Sequence, residues 1–217
     1  TAEGEYEESY DKLILSPGAK PIRPRLPGMD SPHVFTLRTV EDTFRIHEAA
    51  SRQKPKTAVV VGGGFIGVEM AENLAALGIA VTLVEKQTQL LSQLDADMAS
   101  LVHAHMKSKG IQLLLGKSVA GFEDKTSGIV TNIEADEPIL SDMVILSIGV
   151  LPDSSLAADA GLELGFKNSI AVNDWMQTSN PDIYAVGDAA EITHSVSGEK
   201  ALISLAGPAN KQGRIAA

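Results

Sequence analysis

The 217-residue chain is 44% hydrophobic and 21% charged, a globular composition that can bury one good core and part of a second. Its 28 Asp and Glu outnumber 18 Lys and Arg, for a formal charge of -10, and no basic cluster offers a phosphate-backbone footprint, so nucleic acid is not an expected partner. Cys is absent, which excludes disulfides, thiolate metal sites and thiol catalysis within these residues, and no apolar run approaches the roughly 18 residues needed to cross a bilayer, so no membrane partner is expected.

The acidic start, TAEGEYEESYD, is the opposite of a signal peptide. It opens without Met and runs straight into a strand, Lys12 to Leu15, with no partner nearby in sequence, so the chain is expected to be a piece of a longer one. Ser16-Pro17-Gly18 ends that strand, and the prolines up to Pro27 favour an extended crossing over a helix. A helix is predicted over Thr39 to Arg52, with Val40, Phe44 and Ile46 apolar and Thr39 and Asp42 spaced as a capping box.

Lys56 to Leu77, KTAVVVGGGFIGVEMAENLAAL, reads as a buried strand, a glycine-rich turn and a helix. Ala58 to Val61 form the strand, and apolar residues recur at helical spacing through Ile66, Met70, Leu74 and Leu77. Glycine lets backbone N–H groups approach a pyrophosphate closely, and the following helix adds the positive end of its dipole. On this reading Gly62 permits the tight turn, Gly64 the close approach and Gly67 the packing of helix on strand. A second strand, Ile79 to Val84, ends in Glu85, about 20 residues past the turn, where a dinucleotide fold places its ribose-binding acid. Two acceptor oxygens suit the ribose 2′- and 3′-hydroxyls and repel a 2′-phosphate, which favours NAD(H); Lys86 beside it leaves NADP(H) open. The competing readings are a glycine turn with no nucleotide and a surface acid.

A loop, Lys86 to Leu94, leads to a predicted helix from about Asp95 to Lys109, with Met98, Leu101, Val102, His105 and Met106 on one face and Gly110 as its stop. His103 and His105 point to different sides of such a helix and cannot share a metal; His105 reads as a boundary residue, and no metal site is expected. Short runs from Ile111 to Glu134, IQLLLG, SVAGFED and GIVTNIE, suggest an antiparallel meander turning at Lys125 to Gly128. Met143 to Ile148 is the near-continuous apolar run of a strand covered on both faces, stopping at Gly149. Beyond Asp153 come a helical turn, Ser154 to Ala160, short strands around Ile170 to Val172 and Ile183 to Val186, and a tail, Ala201 to Ala217, that ends as a helix. The fold class is α/β, a Rossmann-like parallel sheet plus an antiparallel meander.

Four stretches in one order resemble the FAD-dependent pyridine nucleotide-disulfide oxidoreductases. KLILSPGAKP from Lys12 is similar to the strand leaving that family's FAD domain, and VVVGGGFIGVEMAENL to its NAD-domain fingerprint. Ser147-Ile148-Gly149 with Leu151-Pro152-Asp153 resembles the strand re-entering the FAD domain, and TSNPDIYAVGD from Thr178 its second FAD motif. LAGPANKQGRIAA, Leu205 to Ala217, most resembles the branch of coenzyme A-disulfide reductases, NADH oxidases and persulfide reductases.

The resemblance implies partial FAD-domain segments at residues 1–35 and 154–217 around an NAD(H)-binding domain at 36–153. It assigns the nicotinamide dinucleotide to Gly62, Gly63, Gly64, Phe65, Ile66, Gly67, Glu69, Glu85, Lys86 and Gly149, with Phe65 near a flavin ring and Glu69 placing the nicotinamide. A helix-cap hydrophobe and a first-turn acid are the plainer readings of those two. Ser16, Gly18, Gly187 and Asp188 would lie along a flavin nucleotide, with Ala206 and Gly207 approaching its ring; Asp188 could also be a simple turn acid. The first FAD fingerprint, the redox cysteine and a C-terminal dimerisation domain are not among these residues. The chain alone is therefore expected to be inactive, and the parent to be a cytoplasmic homodimer that passes hydride from NAD(P)H through FAD to a cysteine-bound sulfur species such as coenzyme A disulfide or persulfide, with a small thiol or disulfide as its substrate partner. The alternatives are an NADH oxidase or peroxidase, and a non-catalytic NAD-binding module. The flanks, 1–32 and 162–217, carry strand edges expected to pair with each other or with another chain.

Overall fold

The computed structural model describes residues 4–217, so the first three residues of the expected opening segment lie outside the described residues. In chain order the elements are β1 (Leu13–Leu15), β2 (Ala19–Pro21), β3 (Val34–Thr36), α1 (Val40–Glu48), β4 (Thr57–Val61), α2 (Phe65–Ala76), β5 (Ala80–Glu85), α3 (Ala96–Ser108), β6 (Gln112–Leu115), β7 (Val119–Lys125), β8 (Gly128–Ile133), β9 (Ile139–Ser141), β10 (Met143–Leu146), β11 (Val150–Pro152), α4 (Ser155–Asp159), β12 (Ile183–Ala185), β13 (Ile192–Thr193), β14 (Lys200–Ala201) and α5 (Ala206–Ala216). They form two compact units, residues 21–149 and residues 1–20 with 150–217. Residues 21–35, expected with the opening segment, belong to the first of these, because β3 is an edge strand of its sheet.

In the 21–149 unit a five-stranded parallel sheet has the order β3-β10-β4-β5-β6. Alternation along its strands builds two cores. Ala58, Val60, Val81, Leu83, Met143 and Ile145 pack with helix residues Ile46, Ala71, Leu74 and Met106. Val59, Val61, Val84, Val144 and Leu146 face Phe122, Ile129 and Ile133 of the three-stranded antiparallel sheet β7-β8-β9. Both faces of the central strands are thus covered, which is why they read as continuous apolar runs. The unit's chain ends meet: the Ile22 amide donates to the Gly149 carbonyl at 3.0 Å. Between β9 and β10, the Asp142 carboxylate accepts the Lys56 and Thr57 amides at 2.7 and 2.9 Å and the Thr57 hydroxyl at 3.0 Å, fixing the start of β4.

Several expectations need correction. IQLLLG is no part of the meander: β6 pairs parallel with β5, as a short apolar run suits either sheet equally, and Ile139–Ser141 supplies the meander's third strand. The apolar run at Met143 leaves the ladder at Leu146 rather than Ile148. The capping box at Thr39 and Asp42 is present, but the α-helix stops at Glu48; a π-helical turn follows, and left-handed Lys54 before Pro55 ends it. On α3 the buried residues are Ala99 and Met106, whereas Met98 and Leu101 are exposed. His105 lies on the surface, 2.8 Å from Glu72 of α2.

In the other unit β1 pairs in parallel with β12, Leu13 opposite Ile183, and Lys12 pairs with Asp182 just beside that ladder. The flanking segments therefore pair with each other. Leu15, Ala157, Leu162, Ile170, Ala185 and Ala189 form the core. Ile170 makes only isolated bridges, to Leu164 and Ala190, in place of the expected strand. Glu191, 4% exposed, is ion-paired with Lys200 and accepts the Phe166 amide at 2.7 Å. Burial pushes its carboxyl up, and these hydrogen bonds outweigh that and hold it below the ordinary value. Among the described residues no helix is long and apolar enough to cross a membrane.

Candidate functional site

The glycine turn sits where β4 meets α2, at the carboxyl end of the parallel sheet. Gly62 has φ +106, and a Cβ there would stand 2.4 Å from the Ser147 carbonyl oxygen, so both backbone and space demand glycine. Its amide donates to the Val84 carbonyl at 2.8 Å, and the Ser147 hydroxyl lies 3.0 and 3.2 Å from the Val61 and Gly62 carbonyls. At Gly67 a Cβ would meet the Gly62 carbonyl oxygen at 1.9 Å, which is what brings α2 down onto the turn.

Gly64 differs from both. Its φ of -77 is open to any residue, and nothing in the protein lies within 4 Å of where its Cβ would be. The chain itself gives no reason for glycine there. Gly64 is the N-cap of the 12-residue α2, whose first turn holds no acidic residue to neutralise the dipole. Glu69 lies one turn further in, so it is not the first-turn acid of the plainer reading.

Glu85, at the end of β5, reaches the turn directly. Its Oε2 accepts the Gly63 amide at 2.5 Å and its Oε1 the Gln87 amide at 2.6 Å. A carboxylate has about four acceptor sites, so each oxygen can still accept a hydroxyl. Phe65 and Glu69 are exposed, Ile66 is half-buried, Lys86 is exposed beside Glu85, and Gly149 lies two residues past Ser147 with φ +117. The features sequence reasoning missed here are Ser147 as the strut of the turn, and the loop after Glu85, where Leu90 packs under Gly63 and the Leu91 amide donates to the Gly63 carbonyl at 2.9 Å. Neither contact has a local signal.

The second group of predicted residues meets in the other unit. Ser16, Gly18, Gly187 and Asp188 line one cavity of about 610 Å³ with Asn210 and Arg214 of α5, within the size range of small-molecule sites. Ala206, at the start of α5, is not among its lining residues. Gly18 and Gly187 have φ +76 and +79, and the Gly187 amide donates to Gln212 Oε1 at 2.6 Å, a buried partner the sequence does not advertise. The Asp153 amide donates to the Gly18 carbonyl at 2.9 Å. Hydrogen bonds from Ser155 and Lys20 hold the Asp153 carboxyl below its ordinary value. An acid, a guanidinium and left-handed backbone around one cleft suit a hydroxylated, phosphorylated ligand.

Comparison with known proteins gives consistent matches. Residues 1–213 match the family described as pyridine nucleotide-disulphide oxidoreductase. An NADH oxidase of Methanocaldococcus jannaschii is 40% identical over 98% of this chain and 47% of its own length. A coenzyme A disulfide reductase of Staphylococcus haemolyticus is 35% identical over 87% of this chain and 41% of its own. Among solved structures, reduced Bacillus anthracis CoADR-RHD superposes with a TM-score of 0.93 at 49% identity, covering 97% of this chain and 38% of that one. The chain thus spans about half the length, or less, of the curated relatives it matches.

Proposed function

Because the chain belongs to the pyridine nucleotide-disulphide oxidoreductase family, we propose that residues 21–149 bind NAD(H) and that residues 1–20 with 150–217 contribute part of an FAD site. The whole protein would be an oxidoreductase reducing a cysteine-bound sulfur species, such as coenzyme A disulfide or a persulfide. The bound dinucleotides supply the hydride donor and its acceptor. This chain's residues bind and orient them: Gly64 and the start of α2 take the pyrophosphate, Glu85 the adenine ribose, and Phe65 and Glu69 flank the nicotinamide end. Ser16, Gly18, Gly187 and Asp188 take the flavin nucleotide, with Ala206 near its ring. None of the 217 residues is Cys, so an acceptor cysteine would come from elsewhere in the protein.

The observation that carries this reading is Gly64, the one glycine of the turn that the protein does not itself require. Preference for NADH over NADPH rests on Glu85, whose charge opposes a 2′-phosphate. Calorimetric titration of the full-length protein, purified yellow with flavin, should show tighter NADH than NADPH binding; a colourless protein indifferent to both would sink the proposal. The Methanocaldococcus relative favours a second reading, an NADH oxidase, which the same preparation tests with oxygen in place of coenzyme A disulfide.

A further inference from the structure

We propose that His103 is a positioning residue for the dinucleotide, its Nε2 accepting the Leu90 amide at 3.0 Å and so holding the loop after Glu85 against the Gly63 peptide. The inference rests on the nucleotide-binding reading of the glycine turn. His103 touches no atom of that turn and acts only through the loop.

The chain of contacts is short. Leu90 is fully buried, with its Cδ2 only 2.5 Å from where a Gly63 Cβ would stand. Leu91, next along, is left-handed at φ +48, a conformation that a non-glycine residue keeps only when its surroundings impose it. Its amide donates to the Gly63 carbonyl at 2.9 Å, while the Gly63 amide donates to Glu85. The Gly63 residue is therefore held at both ends. In a trans peptide the carbonyl and the following N–H point opposite ways, so fixing the Gly63 carbonyl towards Leu91 turns the Gly64 N–H to the other side. Gly64 is the N-cap of α2, where the pyrophosphate is proposed to sit. Without His103, the buried Leu90 amide loses its acceptor and the loop its tie to α3.

The test compares His103→Phe, which cannot accept, with His103→Gln, whose Oε1 lies as many bonds from Cβ as Nε2 does. In the full chain without nucleotide, hydrogen exchange at Leu90 and Leu91 should quicken in the Phe variant and stay protected in the Gln variant. NADH titration should show about tenfold weaker binding for Phe and less than threefold for Gln, the size of one lost hydrogen bond. In turnover the Phe variant should raise KM for NADH and leave kcat near wild type. Equal NADH affinity in all three proteins, or a Gln variant as impaired as Phe in exchange and binding, would overturn the role. Should wild type bind no NADH, the nucleotide reading itself fails, and the exchange result still reports whether the histidine holds the loop.

Discussion

The Glu85 carboxylate and the Gly63 amide, 22 residues apart in sequence, meet at 2.5 Å, so the acid at the end of one strand holds the turn at the end of its neighbour. Glu85 is thereby a structural residue as well as the proposed ribose-binding acid. In Glu85→Gln the carbonyl oxygen can keep the Gly63 contact while the charge is gone. The expected outcome is a melting temperature near wild type, NADH binding roughly tenfold weaker, and a smaller gap between NADH and NADPH, checked by calorimetry.

The glycines of the turn should separate by cause. Gly67→Ala places a methyl 1.9 Å from the Gly62 carbonyl and should destabilise the fold by about 3 kcal/mol. Gly64→Ala meets open space, should leave denaturant midpoints unchanged, and should weaken NADH by tenfold or more. Equal damage to stability at both positions would remove the case for a ligand at Gly64.

Asp142 should make the 21–149 unit sensitive to acid. Burial pushes its carboxyl up, but the Thr57 and Lys56 amides, the Thr57 hydroxyl and the Lys56 charge outweigh this and hold it below the ordinary 3.8. A depressed folded value stabilises above the unfolded value and is lost as pH falls through the folded one. Asp142→Asn should cost about 2 kcal/mol at neutral pH, and the gap between variant and wild type should narrow below about pH 4 in urea titrations.

Thr131 on β8 is fully buried, and its hydroxyl is the one side-chain polar atom among the described residues found buried without a partner. Thr131→Val keeps the shape and removes the unpaired hydroxyl. It should raise stability by about 1 kcal/mol with NADH binding unchanged.

What could be read in the sequence was what is local in the chain. The strand–turn–helix at Gly62 is contiguous, Glu85 falls at a fixed offset from it, and Thr39 with Asp42 forms its capping box within one helical turn. Pairing was harder. The short apolar run Leu113 to Leu115 could not say whether β5 or β7 would be its neighbour, and the partner of Leu13 lies at Ile183. Apolar Met98 and Leu101 share helical spacing with buried Met106 and yet face outwards, because hydrophobic period marks a face without saying that anything covers it. Gln212 beneath Gly187 and His103 beneath Leu90 are polar side chains on helices, unremarkable until the backbone amide each one serves is located.

The hydrogen bond between Ile22 and Gly149 bears on how the chain folds. β1 and β12 must find each other across the whole 21–149 unit, a loop whose closure entropy is large while the chain is open. Once that unit has folded with its ends together, the effective loop shrinks to residues 16–20 and 150–182. Synthesis from the amino terminus delivers the inserted unit whole before residue 183 is made, so the order of translation and the order of lowest entropic cost coincide.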